Sequence, residues 1–322
     1  MQEIQKAGAS IVRAVVLVEI GMGVLADRSI PGRPYRDLRI SLGTEQGGTF
    51  NAALSFATGT PDLAYAVARN ELQLAAINPS AFLTMAYRGT GPFSDPLPLR
   101  TVAVMPSWDR MAFAVFPKTG LSSLEDIARQ RYPLRVSIRR NPSHATRFVI
   151  DQALAAAGLS LKDIEGWGGS LQYVDAPSDD ERMAGLRDGS LDAVFDEGIK
   201  SWGRVGMDLG MSFLPLGAAV QAQFDKLGWP IGPIPRASFP GLAQDLPALS
   251  FSGWPLFTHA DLPEEDVYRM CAALDAAKSS IAWDSPTEVQ LADLCGGTDA
   301  APRGAPLHSG AERYYREHGG LD

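Results

Sequence analysis

Leu38-Arg39-Ile40-Ser41-Leu42 alternates between apolar and polar positions, the period of a strand, and runs into a glycine-rich loop from Gly43 to Phe50. An Ala-rich stretch from about Asn51 reads as a helix, so the chain opens as strand, glycine loop, helix. A helix is predicted over 61–70 and a strand over 72–77, ending at Asn78-Pro79-Ser80, where Ser80 caps a helix over 81–87. Strands follow over 101–105 and 111–116, joined by Pro106 to Arg110. Ser122 or Ser123 caps a helix through Arg129. The pattern then alternates strand (134–138), helix (to Ala157, stopped by Gly158), strand (171–174), helix (178–188, stopped by Gly189), strand (191–195) and helix (199–209). Residues 217–253 are dense in Pro and Gly and read as irregular. A strand over 251–258, a helix from Pro263 to Ile281 and a last helix over about 288–294 close the chain.

Strands alternating with helices predict α/β architecture with parallel sheets covered on both faces. The alternation occurs twice, at about 38–116 and 134–216, so two lobes around a ligand cleft are expected. The predicted division is an N-terminal extension over 1–37, a first lobe of 38–117 plus 247–322, and a second lobe of 118–246.

The formal charge of −8 argues against a nonspecific nucleic-acid binder, which needs a basic face. Two cysteines, Cys271 and Cys295, make no disulfide scaffold; buried thiols are expected, with one bridge as the alternative. No motif asks for a metal or a cofactor. No apolar run reaches the roughly 18–20 residues that span a bilayer. Ala14 to Ala26 is apolar, follows Lys6 and Arg13 and ends in Val24-Leu25-Ala26, the form of a signal cleavage site. Glu3 and Glu19 depart from that form, so an atypical signal and a plain extension both stand.

Ligands of open α/β sheets bind at the carboxyl ends of strands, beside helix N-termini. Four segments have that form. Thr44, Gly47, Gly48, Thr49 and Phe50 offer backbone N–H groups, a hydroxyl and an apolar contact, without the spacing of a nucleotide loop. Asn78, Pro79 and Ser80 end the second predicted strand. Arg139, Arg140, Asn141, Ser143, His144 and Thr146 close the strand over 134–138; either arginine can pair a carboxylate, and Ser143 or Thr146 can cap the next helix. Six arginines and no acidic residue lie between Ile127 and Ile150, a local positive region in an acidic chain. Asp196, Glu197 and Gly198 form the fourth segment, able to pair an arginine or accept from an amino group. Trp108, with Asp109 and Arg110, is either ligand-facing or part of a structural hairpin.

Several of these segments resemble the TAXI family of TRAP-transporter solute receptors. Ile40-Ser41-Leu42-Gly43-Thr44 with Gly47-Gly48-Thr49-Phe50 is similar to that family's opening strand and glycine loop. Ser122, Leu124, Asp126 and Ile127 match a helix start; Asp188-Gly189 with Leu191-Asp192-Ala193 matches a turn; Pro306-Leu307-His308-Ser309-Gly310-Ala311-Glu312-Arg313-Tyr314-Tyr315-Arg316-Glu317 matches the C-terminal motif. The resemblance spans about 38 to 319. It implies a type II periplasmic binding protein fold, a small carboxylate-bearing solute (organic acid, aromatic acid or amino acid) held between lobes, and transfer to TRAP-type membrane permease subunits. The same four segments would carry the ligand. Asn78-Pro79-Ser80 and Arg139 to His144 depart from the family's usual residues, which implies a bulkier or more acidic solute than glutamate.

Two other function classes fit the same fold. One is a cytosolic enzyme, a decarboxylase or other lyase of organic acids, with His144, Asp196 or Glu197 as acid–base groups. The other is a cytosolic sensor of a small acid.

Overall fold

The computed structural model describes residues 39–42, 52–58, 61–280, 283 and 288–322. The chain divides into two compact units. One takes residues up to Trp108 and again from Ser252; the other is the continuous stretch from Asp109 to Phe251. The crossings therefore lie at 108/109 and 251/252, where the sequence expectation had 117/118 and 246/247.

The first unit contributes β1 (Arg39–Leu42), β2 (Ala52–Thr58), α1 (Pro61–Ala68), β3 (Leu74–Asn78), α2 (Ser80–Arg88) and β4 (Leu99–Met105). The second holds β5 (Arg110–Val115), α3 (Leu124–Gln130), β6 (Arg135–Arg139), α4 (Ala145–Ala156), α5 (Leu161–Gly166) and β7 (Ser170–Val174). It continues with α6 (Asp180–Asp188), β8 (Ala193–Asp196), α7 (Trp202–Asp208), β9 (Ser212–Phe213), α8 (Ala218–Leu227), β10 (Ile231–Ile234) and β11 (Leu246–Ser250). The chain then returns to the first unit with β12 (Trp254–His259), α9 (Glu264–Ala277), α10 (Leu291–Leu294) and α11 (Ser309–Glu317).

The fold is α/β, as expected, but both sheets are mixed. The first has the order β1-β2-β3-β12-β4, with only β2 and β3 running parallel among its described pairs. The second has the order β10-β11-β5-β8-β6-β7, with β9 on β5, and only β6–β7 and β6–β8 are parallel. Strand–helix alternation finds the parallel pairs. It does not reveal that β12 inserts antiparallel between β3 and β4, or that β5 joins β8 antiparallel.

The helix expected from Asn51 is instead β2, set by pairing on both sides: Leu42 faces Ala52 and Leu54 faces Leu74. A seven-residue, mostly apolar segment does not separate helix from strand by periodicity. The hairpin that was one of the two readings of 106–110 does not form, because β4 and β5 lie in different sheets. The irregular stretch 217–253 contains α8, β10 and β11. Within α8, Val220, Phe224 and Leu227 repeat at helical spacing and are buried. The Pro and Gly around them (Pro230, Pro233, Pro235, Gly232) obscure that period.

In the first unit, Val267, Met270, Cys271 and Leu274 of α9 share a core with Ala311, Tyr314 and Tyr315 of α11 and with Leu74, Val102 and Leu256 of the sheet. Tyr315 donates its buried hydroxyl to the Val102 carbonyl at 2.9 Å. Gly310 is required where α11 meets α9, since a Cβ there would stand 2.1 Å from the Glu264 carbonyl oxygen. The segment before α11 runs beside β4: Thr101 N donates to Pro306 O and His308 N to Thr101 O.

His308 is the N-cap of α11, its Nδ1 accepting from Gly310 N at 3.2 Å. Burial lowers its pKa from the ordinary imidazole value of 6.5. The unfolded chain therefore binds a proton at about pH 6.5 while the folded chain resists it. Stability should be full above that value and fall as pH drops from it toward the lowered folded pKa. In urea melts at about pH 7.5 and about pH 5.5, His308→Asn, which keeps a capping acceptor, should lose less stability between the two pH values than the native chain. An equal loss would remove His308 from the acid response.

Candidate functional site

Because β6 and β8 are parallel and β5 is antiparallel to β8, the ends of β6 and β8 and the start of β5 share one edge of the second unit's sheet. Two of the four expected loops, Arg139–Thr146 and Asp196–Gly198, are brought together there. What they build is a buried ionic cluster. Arg139 is 1% exposed and Asp196 fully buried. Arg139 Nε donates to both Asp196 oxygens, at 2.9 and 2.8 Å, its Nη1 to the Asp175 carbonyl at 2.7 Å, and its Nη2 to Glu197. Arg182 of α6, also fully buried, donates to Asp196 at 2.5 Å, to Ser137 Oγ at 3.0 Å and to the Pro177 carbonyl at 3.2 Å. The Glu197 amide donates to Asp196 as well.

Each buried ion carries a desolvation cost of several kcal/mol, offset here by multiple charge-assisted bonds to every member. Burial pulls Arg139 down, but the Asp196 and Glu197 carboxylates outweigh it and hold the guanidinium above its ordinary pKa. Of the two arginines either of which could pair a carboxylate, Arg139 has its nitrogens engaged by the protein's own oxygens. Asp196 and Glu197 pair an arginine, as the sequence allowed, but one of their own unit.

Asp109 stands at the same edge. Its Oδ1 accepts from Arg110 N at 2.7 Å and its Oδ2 from Gly198 N at 2.8 Å. Burial first, and then the neighbouring Glu197 carboxylate, raise its pKa well above the carboxylate range. Arg110, fully buried, donates to the Pro233 carbonyl at 3.1 Å. Gly198 has φ +72°, and a Cβ there would meet Pro177 at 2.5 Å, so glycine is required at this turn.

Arg140 is 57% exposed at its side chain; it donates to Asp175 at 3.1 Å and to the Tyr173 carbonyl at 2.7 Å. Asn141 and Ser143 are exposed, and Asn141 Oδ1 accepts from Ser143 N in a tight turn. The cap of α4 is His144 rather than Ser143 or Thr146: its Nδ1 accepts from Thr146 N at 3.2 Å and lies 3.0 Å from the Thr146 hydroxyl. His144 is held as a helix cap and Asp196 is held by two arginines.

The first unit holds the other described candidates. Asn78 Nδ2 donates to Gly253 O at 3.0 Å, and the Asn78–Pro79 bond is cis. Ser80 does not cap: Pro79 is the N-cap of α2, and the Ser80 hydroxyl is buried without a hydrogen-bond partner among the described residues. Trp108 Nε1 donates to Asp299 at 2.9 Å. Thr44, Gly47, Gly48, Thr49 and Phe50 lie outside the described residues, as does the N-terminal stretch 1–37.

The sequence pattern points to neither Arg182 nor Asp175, and it offers Asp109 and Arg110 with Trp108 as a turn that is either ligand-facing or a structural hairpin. The signal for Arg182 is present: it is an arginine at the third position of α6, directly after the acidic Asp179–Glu181 start, and buried with Met183 and Leu186. Cys271 and Cys295 are free and buried, with burial pushing their thiols up to about 12 and about 11. Among the described residues no His, Cys, Asp and Glu group is placed to hold a metal ion, and no helix is long and apolar enough to cross a membrane.

The NMT1-like family matches the chain over residues 41–319. No curated protein matches it. Among solved structures, the chain is similar to the periplasmic aliphatic sulphonate binding protein of Escherichia coli, at 13% identity and a TM-score of 0.35, covering 70% of this chain and 59% of that one. It is similar to a Xanthomonas citri protein bound to chloride ion, at 12% identity and a TM-score of 0.42, covering 81% and 84%. It is also similar to a glycine/betaine/L-proline-binding protein of Borrelia burgdorferi, at 13% and 0.38, covering 70% and 68%. The chain thus spans under two thirds of the length of the first.

Proposed function

The chain belongs to the NMT1-like family, and we propose that it is a solute-binding receptor of the TAXI type, capturing a small carboxylate-bearing solute for a TRAP-type membrane permease from an extracytoplasmic compartment. The observation that carries this reading is the strand-end edge of the second unit. There a buried Arg139–Asp196–Arg182 lattice fixes the loops rigidly, and Arg140 is presented beside the start of α4. A guanidinium next to a helix N-terminus suits a carboxylate. Of the two arginines that could pair a carboxylate, this reading takes Arg139 as the strut and Arg140 as the contact.

Thermal melts with L-glutamate, 2-oxoglutarate and benzoate test this. A bound carboxylate at a hundred times its Kd adds about 2.7 kcal/mol of stability and raises Tm. Arg140→Ala should leave the solute-free Tm nearly unchanged, because an exposed pair contributes about 0–1 kcal/mol, and should remove most of the shift. A shift that survives Arg140→Ala moves the contact elsewhere. Silence from all three probes, with a response to amines or neutral sugars, overturns the carboxylate reading. Fractionation with N-terminal sequencing tests export, with cleavage after Ala26 as the expected result.

A further inference from the structure

Trp108 and Asp109 are neighbours in the chain, yet their side chains are held in different units. Trp108 Nε1 donates to Asp299 at 2.9 Å and Ser107 N donates to Ala300 O at 2.9 Å, both within the first unit. Asp109 accepts Gly198 N on Oδ2 at 2.8 Å and Arg110 N on Oδ1 at 2.7 Å, and its carbonyl accepts from Phe251 N at 3.0 Å, all within the second. The other crossing is built the same way. Phe251 N bonds to Asp109, while the next residue, Ser252, gives its carbonyl to Ser80 N at 3.2 Å in the first unit. At each crossing a single peptide link separates residues anchored in the two units.

The Asp109 side chain carries its anchor far along the chain. Gly198 lies eighty-nine residues on, in the turn that follows β8 and includes Glu197. Two other holds on that turn come from within the body of the second unit: the Trp202 indole donates to the Glu197 carbonyl at 2.7 Å, and Arg139 donates to the Glu197 side chain. Of the three, only the hold of Asp109 comes from a crossing strand. A hydrogen bond is directional and weakens steeply when bent. A rotation of the chain at 108/109 that turns the Asp109 side chain therefore either takes the Gly198 amide with it or breaks the bond.

We propose that Asp109 is a positioning residue that couples the Trp108–Asp299 anchor of the first unit to the Glu197–Gly198 turn of the second. The route is Asp299, the Trp108 indole, one peptide link, the Asp109 carboxyl and the Gly198 amide. Contiguous hydrogen bonds of this kind can carry coupling between sites, and a demonstrated response at the far end is what establishes it. The loop around Asp299 becomes a place from which the strand-end edge of the second unit is adjusted, whatever solute that edge meets.

Amide hydrogen exchange of the full chain, read residue by residue by NMR, tests the route. Asp109→Ala should speed exchange at Gly198 by about 5-fold or more, the loss of one bond to that amide. Asp299→Ala and Trp108→Phe each remove the anchor bond in the first unit, and each should speed Gly198 exchange by about 2-fold or more. In the Asp109→Ala background neither should add to the rate at Gly198. Leu214 N, which donates to the Phe113 carbonyl at 2.7 Å in the same unit, is the internal control and should keep its native rate in Asp299→Ala and Trp108→Phe. A native Gly198 rate in any of the three single variants overturns the coupling. An increase that persists in full on Asp109→Ala routes it around Asp109, and one shared equally by Leu214 is a general loosening; either result overturns the proposal. Should Asp109→Ala fail to fold, Asp109→Asn takes its place, since its one side-chain oxygen replaces two acceptors. The effect of Asp299→Ala at Gly198 should then be smaller than in the native chain, and an equal effect again overturns the route.

Discussion

Asp196→Ala is expected to destabilise the second unit by about 3–5 kcal/mol. Asp196 is the one carboxylate that both Arg139 and Arg182 address, at 2.8 and 2.5 Å, and all three side chains are within 1% of full burial. Removing it leaves two guanidiniums in the interior with much of their charge uncompensated, and Arg182 retains only Ser137 Oγ and the Pro177 carbonyl. Removing the charges together differs in kind. An Arg139→Met, Asp196→Leu, Arg182→Met triple variant should be far less destabilised than Asp196→Ala alone, because an apolar set of similar volume is often neutral or better. Urea melts followed by tryptophan fluorescence report on this unit through Trp202 and Trp229. A loss below about 1 kcal/mol for Asp196→Ala would mean that the cluster is solvated and not a buried strut.

Trp202→Ala should cost about 3–5 kcal/mol. Trp202 is fully buried, packs edge-on against Phe213 at 6.1 Å between centroids, and donates its indole N–H to the Glu197 carbonyl at 2.7 Å. It thus ties the loop that carries Glu197 to the aromatic core of the unit. Trp202→Phe keeps most of the apolar area and gives up the hydrogen bond, so its cost should be nearer the ~1 kcal/mol of one net bond plus a small void. If the two variants melt alike, the hydrogen bond carries the effect, and the packing against Phe213 adds little.

The elements most legible in the sequence were those whose pattern is local. The strand–helix pair β6–α4 is bounded by Pro133 and Gly158. The start of α3 is written in Ser123 and Asp126, and Ser123 Oγ does accept from Asp126 N at 3.1 Å. The loops at the ends of β6 and β8 were also found, because the ends of neighbouring parallel strands gather at one edge. What was not legible depends on partners far along the chain. Nothing near Ala52 says that Leu42 and Leu74 will flank its strand. Nothing near Arg139 says that Asp196, fifty-seven residues on, will take its charge. A run of arginines without nearby acids looks like an anion site for that reason: counter-charges distant in sequence are invisible to a local window. The aromatic pair Tyr314-Tyr315 lay within the motif noted at the C-terminus, but its place in the core of the first unit depends on α9 and the sheet.

The division of the chain sets an order of assembly on the ribosome. Domains fold as units during synthesis, and the second unit is one continuous segment, complete once Phe251 has emerged. The first unit begins earlier but cannot close then. Its sheet lacks β12, which lies between β3 and β4, and its core lacks α9 and α11. The strands made first therefore wait, unpaired at the centre of their sheet, while the later unit folds behind them. Exposed strand edges of this kind are the species on which chaperones act. Residues made after Phe251, among them His308 on the backbone of Thr101 and Tyr315 on the Val102 carbonyl, end that wait.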